Sequence, residues 1–240
     1  MATFGLVHGA GHGAWCWDRL RPLLESRGHR AVAVDLPCED PEAGATRYAA
    51  IVDAALPRTD DLVLVGHSLG GLTIPLVAAR RPTRALVFLC GLVPAFGHSF
   101  AAQIAADPAI YAPGYAAHPG RVTHPDGSTS WADPASVREV FYHDCTPVDV
   151  AWAWSCLRRQ ARAPRNEPCP LSAWPAVDRM VSILCQDDRA IAPTWSRRVA
   201  RDRLGVDALE LPGSHSPFLS RPAELATLLD GVSREGQMEL

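Results

Sequence analysis

Four short apolar runs follow one another in the first part of the chain. They lie at residues 3–7, 30–34, 62–65 and 85–89. The run at residues 62–65 is too short for a helix and fits a strand buried on both faces, and the other three runs also predict strands. The segments between them predict helices over residues 18–26, around residues 48–55 and over residues 69–80. This alternation of strands and helices predicts a parallel sheet with helices on both faces.

The alternation of predicted strands and helices stops between residues 97 and 174. This segment is rich in proline and aromatic residues and contains no comparable apolar run. Two helix N-termini are predicted there, at Asp133-Pro134 and Thr146-Pro147. In each, a side chain that can cap a helix precedes a proline, which is suited to the first helical position. We therefore predict a helical cap, inserted at about residues 97–174, over the carboxyl ends of the strands.

The alternation then resumes. Residues 180–185 and 206–211 predict the last two of six strands, and residues 194–204 and 222–229 predict helices. The final residues, 233–240, are expected to fray. The whole chain is predicted to be one α/β domain of 240 residues carrying the inserted cap.

One motif stands at the end of the third strand. Gly66-His67-Ser68-Leu69-Gly70 matches G-x-S-x-G, a sharp strand-to-helix turn that lifts a serine hydroxyl out of the sheet. Glycine fits on both sides of the serine because a β-carbon there would collide with neighbouring backbone. A second Gly-His-Ser, at residues 97–99, lacks the later glycine, so we interpret Ser99 as a loop residue. Ser68 is the candidate nucleophile.

A glycine-rich loop, residues 8–13, follows the first strand. Its backbone N–H groups could be approached closely by a ligand atom, which suits an anion or a developing oxyanion. The loop has no Gly-Lys-Ser/Thr ending, so it is a poor match to a phosphate-binding loop. His8 and His12 are four residues apart, yet a glycine loop is not a helix and no third ligand is nearby, so we expect no metal.

Serine hydroxyl is too weak an acid to attack a carbonyl unaided near neutral pH, so a base must accept its proton. Loops after later strands supply Asp187 or Asp188 as the acid and His215 as the base. The chain order serine, acid, histidine is the one found with G-x-S-x-G elbows. His215 would act as base and then as acid, while the aspartate would orient the imidazole.

The amino-acid composition limits the classes of molecule that the protein is expected to bind. The formal charge is −3 and the isoelectric point is near 6.3, which gives no basic field for nucleic acid and no polybasic membrane patch. Seven scattered cysteines form no C-x-x-C pair, which argues against zinc and a disulfide framework. With no signal peptide or membrane span in the pattern, we expect a cytoplasmic protein. The expected partner is a small ester, and the chain could be a monomer or a homodimer.

The chain resembles the α/β-hydrolases of the group that contains plant methyl esterases and hydroxynitrile lyases, and we expect a bacterial member of it. The resemblance runs nearly end to end and is carried by the motifs at residues 7–15, 35–37, 66–71, 141–145 and 214–218. It implies a cofactor-independent enzyme with an oxyanion hole formed by the backbone N–H groups of Ala10 and Leu69. It also favours Asp188 as the acid, since family members place this residue shortly before a proline, here Pro193.

The resemblance implies a serine carboxylesterase working through an acyl-enzyme. Hydroxynitrile lyases of this group carry lysine directly after the catalytic histidine, and this chain has Ser216. A small apolar or aromatic acyl group is expected in a pocket roofed by four aromatic residues of the cap: Phe141, Tyr142, Trp152 and Trp154. The alternatives are a lyase or tailoring enzyme acting on a cyanohydrin, lactone or thioester, and a receptor that binds a small ligand without turnover.

Overall fold

The computed structural model describes residues 1–234. Its centre is a six-stranded, wholly parallel sheet. The strands are β1 (Thr3–Val7), β2 (Arg30–Val34), β3 (Leu62–His67), β4 (Ala85–Leu89), β7 (Arg179–Cys185) and β8 (Leu209–Leu211). Their order across the sheet is β2-β1-β3-β4-β7-β8. The predicted doubly covered parallel sheet is confirmed, and the fold is that of the α/β-hydrolases.

Strand β3 lies in the middle of this sheet and all six of its residues are buried. Its side chains alternate between two apolar clusters. Val63 and Val65 pack into the cluster on one face, and Leu62 and Leu64 pack into the cluster on the other. Because successive side chains of a strand point to opposite faces, a continuous apolar run is what such a position requires. The carboxyl end of β3 is thereby fixed at the centre of the molecule.

Ten α-helices surround the sheet in the described residues. They are α1 (Arg21–Glu25), α2 (Ala45–Ala55), α3 (Ile74–Ala78), α4 (Phe100–Ala106), α5 (Pro134–Phe141), α6 (Pro147–Cys156), α7 (Ala163–Asn166), α8 (Pro193–Val199), α9 (Pro217–Ser220) and α10 (Pro222–Arg234). The helix predicted over residues 69–80 is divided: a 3₁₀ turn covers Ser68–Leu72 and α3 follows it. No helix of the described residues is long and apolar enough to cross a membrane.

Between β4 and β7 the chain leaves the sheet, and we call residues 97–174 the insertion. Both predicted helix starts there are confirmed. The Asp133 carboxylate accepts a hydrogen bond from the Ser136 N–H at 2.8 Å, and the Thr146 hydroxyl accepts one from the Asp149 N–H at 3.2 Å. Ser99 proves to be a helix cap as well, since its hydroxyl accepts from the Ala102 N–H at the start of α4.

The insertion also contains a small antiparallel hairpin, made of β5 (Arg121–Thr123) and β6 (Thr129–Trp131). The sequence did not predict it. Its strands are three residues long and only partly buried, so they need no apolar run. The last strand is shorter than predicted and begins at Leu209, whereas the closing helix α10 is longer and reaches Arg234. Of the predicted frayed end, residues 235–240 lie outside the described residues.

Candidate active site

Ser68 lies at the corner between β3 and the 3₁₀ turn that precedes α3. Its φ is +49°, in the left-handed region that residues other than glycine rarely adopt. A β-carbon on Gly66 would lie 2.8 Å from the Gly70 carbonyl oxygen, and one on Gly70 would lie 2.6 Å from the Val7 carbonyl oxygen. The two glycines are therefore needed because the backbone approaches them too closely for any side chain. The result is a tight elbow with the serine at its tip.

The glycine loop after β1 lies against this elbow. A β-carbon on Gly9 would come within 2.8 Å of the Ser68 β-carbon. Ala10 and Leu69 line the same cavity as Ser68. The first N–H groups of a helical turn have no partner within that turn, so the Leu69 N–H is available to a ligand. The two predicted oxyanion donors thus lie beside the serine.

Contacts from the insertion hold this loop. The Gly11 N–H donates to the Gln160 side-chain oxygen at 3.1 Å, and the Gly11 carbonyl accepts from the Arg158 N–H at 2.7 Å. The Arg158 guanidinium also donates to the carbonyl oxygens of His12 and Leu36. These bonds replace the helix or strand ladder that an irregular glycine loop lacks.

Three buried, neutral histidines, His8, His12 and His67, lie next to the glycine loop and the elbow. Burial lowers the pKa of His8 to about 4 and that of His12 to about 3, and it lowers the pKa of His67 well below its ordinary value. His12 donates from Nδ1 to the Ala10 carbonyl oxygen at 2.9 Å and accepts at Nε2 from the Tyr142 hydroxyl at 2.7 Å. His8 likewise uses both nitrogens, for the Gly9 carbonyl oxygen and the Leu36 N–H. In these roles the histidines are structural.

Asp188 and His215 form a buried pair at the ends of β7 and β8. The His215 Nδ1 lies 2.7 Å from the Asp188 Oδ2, and the other carboxylate oxygen accepts from the N–H groups of Ala190 and Ile191 at 2.7 and 3.0 Å. Asp187 has a different task, because its carboxylate accepts from the Gly213 N–H in the loop before His215. Asp188 is the aspartate that contacts the imidazole.

The pairing sets the charge of His215. Burial alone lowers the pKa of this imidazole, and the charge and hydrogen bond of the Asp188 carboxylate raise it by more, so the net pKa lies above 6.5. The same carboxylate fixes the tautomer with the proton on Nδ1, which leaves Nε2 as the acceptor when the ring is neutral. A ring in that state is suited to remove a proton.

His215 also lies close to the elbow. The centroid of its ring is 4.7 Å from that of His67, the neighbour of Ser68, and 5.6 Å from that of Phe141. Phe141 in turn lines the cavity that contains Ser68. The elbow and His215, almost 150 residues apart in sequence, therefore meet at the carboxyl edge of the sheet.

Cys90 is a neighbour of this pair that the sequence did not indicate. It follows β4 with a φ of +43°, is buried, and its sulfur lies within 4.8 Å of ligand atoms of Asp188 and His215. These three residues are the one group in the described part of the chain that could hold a metal. A contact with Cys185, together with burial, raises the pKa of the Cys90 thiol well above its ordinary value. A metal needs the thiolate, so the thiol is better suited to hydrogen bonding.

The cavity over Ser68 is small, with a volume of about 50 Å³, and its lining is polar and apolar in nearly equal parts. Of the four predicted roof residues, Phe141 lines it. The other three lie elsewhere: Tyr142 is fully buried against His12, Trp152 packs edge-on against Trp15 at 5.1 Å, and Trp154 packs on the core. The reason is helical geometry, since neighbouring residues of a helix face different directions.

Other residues line the cavity that the sequence did not single out. The aromatic ones are Phe100, Tyr111, Tyr115 and Trp131, and the polar ones include Arg121, Thr129, Arg158, Gln160 and Arg165. They come from the hairpin, from short turns and from the helices α4 and α7. Such elements have no period in the sequence, and only the enrichment of aromatic residues in the insertion could have pointed to them.

Known proteins share this architecture over almost its whole length. The chain is 30% identical over 265 residues to norfluorocurarine synthase 2 of Strychnos nux-vomica, covering 97% of this chain and 95% of that protein. It is 29% identical over 248 residues to the protein named probable esterase PIR7A of Oryza sativa subsp. indica, covering 94% of each. The crystal structure of polyneuridine aldehyde esterase superposes with a TM-score of 0.79 over 97% of this chain and 99% of that one, at 24% identity.

The sequence pattern of the alpha/beta hydrolase family matches residues 6–228. That match covers the elbow, the glycine loop, the insertion and the Asp188–His215 pair in one continuous stretch. With the parallel sheet and the serine at the end of its central strand, the chain belongs to the alpha/beta hydrolase family.

Proposed function

We propose that this protein is a serine carboxylesterase with Ser68 as nucleophile, His215 as general base and Asp188 as the residue that orients the base. The observation that carries the proposal is the buried 2.7 Å contact between His215 and Asp188 close to a serine held at φ +49°. Relatives named as esterases support the reaction class. The substrate is a compact carboxylic ester, in keeping with the small cavity.

In the first half of the reaction the Ser68 oxygen attacks the ester carbonyl carbon while its proton passes to the Nε2 of His215. The carbonyl oxygen becomes an oxyanion, which accepts hydrogen bonds from the N–H groups of Ala10 and Leu69. Each such donor contributes roughly 3 to 4 kcal/mol to the stability of the tetrahedral state. That state then collapses, the carbon–oxygen bond to the alcohol breaks, and His215 returns the proton to the leaving oxygen.

In the second half a water molecule attacks the acyl-enzyme. His215 again removes a proton, now from the water, and returns it to the Ser68 oxygen as the acid is released. Throughout the cycle Asp188 stays ionised and stabilises the imidazolium that forms twice. The bonds from the Ala190 and Ile191 N–H groups to its second oxygen support that charge. The scheme needs no cofactor.

Three other functions compete with this proposal: a tailoring enzyme, a cyanohydrin lyase and a receptor. The name of norfluorocurarine synthase 2 assigns a synthase role to one relative, which keeps a tailoring reaction on a lactone or thioester as the alternative. A cyanohydrin lyase is disfavoured because Ser216, a buried residue, stands where the resembling lyases have lysine. Release of cyanide from a cyanohydrin would support the lyase, and binding of a small ligand without turnover would support a receptor.

The test is hydrolysis of methyl and p-nitrophenyl esters of small acids by purified protein. Ser68→Ala is expected to lower kcat by on the order of 10⁶, as loss of such a nucleophile does. The matched control is Ser99→Ala in the second Gly-His-Ser, which removes a helix cap at a cost of about 1 kcal/mol in stability and should leave kcat unchanged. If Ser68→Ala kept a rate within about tenfold of the wild type, the proposal would be wrong.

A further inference from the structure

Positive charge is unevenly distributed around the cavity that contains Ser68. Its lining includes three arginines, Arg121, Arg158 and Arg165, and no aspartate or glutamate. The surface of this cavity is polar and apolar in nearly equal parts. A guanidinium group that is partly removed from water is favoured where it contacts an opposite charge. The partner of each arginine therefore indicates what the cavity is built to bind.

Arg158 is already occupied by the protein itself. Its guanidinium donates to the His12 and Leu36 carbonyl oxygens and to the Asp35 carboxylate at 3.1 Å. These contacts hold the glycine loop in place. Arg158 is therefore part of the scaffold and its donors are not free for a ligand.

Arg121 and Arg165 differ from it. Within residues 1–234 neither guanidinium has a carboxylate partner or a side-chain hydrogen bond. Both residues are half-buried. The charged group of Arg121 lies 5.9 Å from the centroid of the Tyr115 ring, a cation–π contact that holds it at the wall of the cavity. Arg165 lies on α7 and also lines the cavity.

The guanidinium groups of Arg121 and Arg165 both act on the side chain of Tyr115. Although burial raises the pKa of Tyr115 to about 12, both Arg121 and Arg165 oppose that effect, so both lie within electrostatic reach of this phenol. Tyr115 itself packs against Phe141 at 6.3 Å, and Phe141 packs against His215. The arginines thus face a stretch of aromatic surface that leads towards the acid-histidine pair.

We propose that Arg121 and Arg165 form an anion subsite and that the substrate is an ester carrying a second, free carboxylate, such as the half-ester of a small dicarboxylic acid. This assignment rests on the proposed function for the ester end only. The planar, doubly donating guanidinium matches the two oxygens of a carboxylate, and the second arginine adds a further positive charge beside the bound anion. The aromatic wall between the subsite and Ser68 contacts the apolar link between the two ends of the substrate.

The experiment compares pairs of substrates that differ in this charge alone. Monomethyl succinate, glutarate and adipate are assayed beside methyl esters in which a neutral carboxamide replaces the free carboxylate. We expect the wild type to prefer one anionic member over its carboxamide by at least tenfold in kcat/KM. Arg121→Gln and Arg165→Gln should each reduce that preference by about tenfold or more, through KM rather than kcat.

Control variants separate binding from folding. Arg162→Gln makes the same charge change on an exposed residue outside the cavity, three positions before Arg165, and should leave the preference intact. Arg121→Lys and Arg165→Lys keep the positive charge but not the forked geometry of guanidinium. They should therefore retain part of the preference for the anionic ester that the glutamine variants lose. A purely structural role for the arginines would instead lower the rates on both substrates together.

The outcomes distinguish this proposal from the esterase proposal. Ser68-dependent hydrolysis with no preference for the anionic ester would overturn the subsite and leave the esterase intact. Faster turnover of a phosphonate-terminated ester than of the carboxylate would overturn the choice of carboxylate. Glutarate binding to Ser68→Ala, measured by calorimetry, tests the subsite even if no ester is hydrolysed: binding that Arg121→Gln weakens tenfold supports it, and no binding overturns it.

Discussion

The Nε2 of His67 lies 3.0 Å from the backbone carbonyl oxygen of His215. Because burial lowers the pKa of His67 well below its ordinary value, this ring is neutral and donates its proton to that carbonyl. The bond joins the residue before the proposed nucleophile to the residue proposed as its base. One side chain of the elbow thereby fixes the distance between two loops that are far apart in sequence.

Substituting His67 with leucine should therefore separate the two loops. The His215 carbonyl would remain buried without its donor, which costs about 1 to 3 kcal/mol of unfolding free energy. We expect kcat to fall at least tenfold as the base moves away from the serine. Urea denaturation and ester hydrolysis measure the two effects. His98→Leu, in the exposed second Gly-His-Ser, is the matched control and should change neither quantity appreciably.

The pH profile tests the pairing of His215 with Asp188. Only the neutral imidazole accepts a proton, so kcat/KM should fall as the pH drops through the pKa of His215. Since the Asp188 carboxylate raises that pKa, the midpoint of the acid limb should lie above pH 6.5. Asp188→Asn should move the midpoint to lower pH and lower kcat by about 10⁴. A midpoint below pH 6 in the wild type would contradict this account, and Asp187→Asn should leave the midpoint unchanged.

The thiol of Cys90 should also affect the acid limb of the pH profile of kcat/KM, but more weakly than the Asp188 carboxylate does. Its contact with His215 adds to the rise in the imidazole pKa, so Cys90→Ala should shift the acid limb towards lower pH by less than Asp188→Asn does. Cys16→Ala removes another buried thiol in the same core cluster and is the control for packing. An unchanged limb in Cys90→Ala would show that the thiol does not contact the imidazole in solution.

Tyr142 is expected to act through the glycine loop rather than through the substrate. Its hydroxyl donates to His12, which in turn donates to the Ala10 carbonyl. Tyr142→Phe leaves the His12 Nε2 buried without a donor, so the loop should shift and kcat should fall about tenfold while KM changes little. Steady-state kinetics on one neutral methyl ester measures both constants. A change confined to KM would place Tyr142 in the substrate pocket after all.

The glycines of the elbow give a prediction about stability. A β-carbon on Gly70 would lie 2.6 Å from a backbone oxygen that cannot move out of the way, so Gly70→Ala should destabilise the fold by more than about 3 kcal/mol or prevent folding. Gly231→Ala, in α10, meets open space and should stabilise by about 0.5 to 1 kcal/mol. Denaturation midpoints of the two variants check the contrast.

Much of the fold could be predicted from the sequence because the central strands are buried on both faces. The predictions for β1 and β4 matched to the residue, since a continuous apolar run has few other interpretations. The prediction for β2 also matched to the residue, although β2 is an edge strand and is only partly buried. Strand β8 was predicted three residues too long. It pairs on one side only, and two of its three residues are exposed, so its pattern carries less information.

The candidate site also has one part that could be predicted from the sequence and one part that could not. The elbow, the glycine loop and the order of acid and histidine are readable because each demands particular residue types at fixed spacing. The lining of the cavity is not, because residues such as Tyr115 and Arg165 reach it from short elements whose course depends on tertiary packing. Tyr142 illustrates the limit: its motif was recognised, but the direction of its side chain was not.

The bonds from Arg158 and Gln160 to Gly11 bear on how this protein could be re-engineered. A chimera that receives the insertion of a relative would also lose the hydrogen bonds that hold the loop around Ala10, so the proposed oxyanion hole would be less rigid in the chimera. Retaining residues 158–160 of the recipient in such a graft should preserve turnover while the rest of the lining is exchanged.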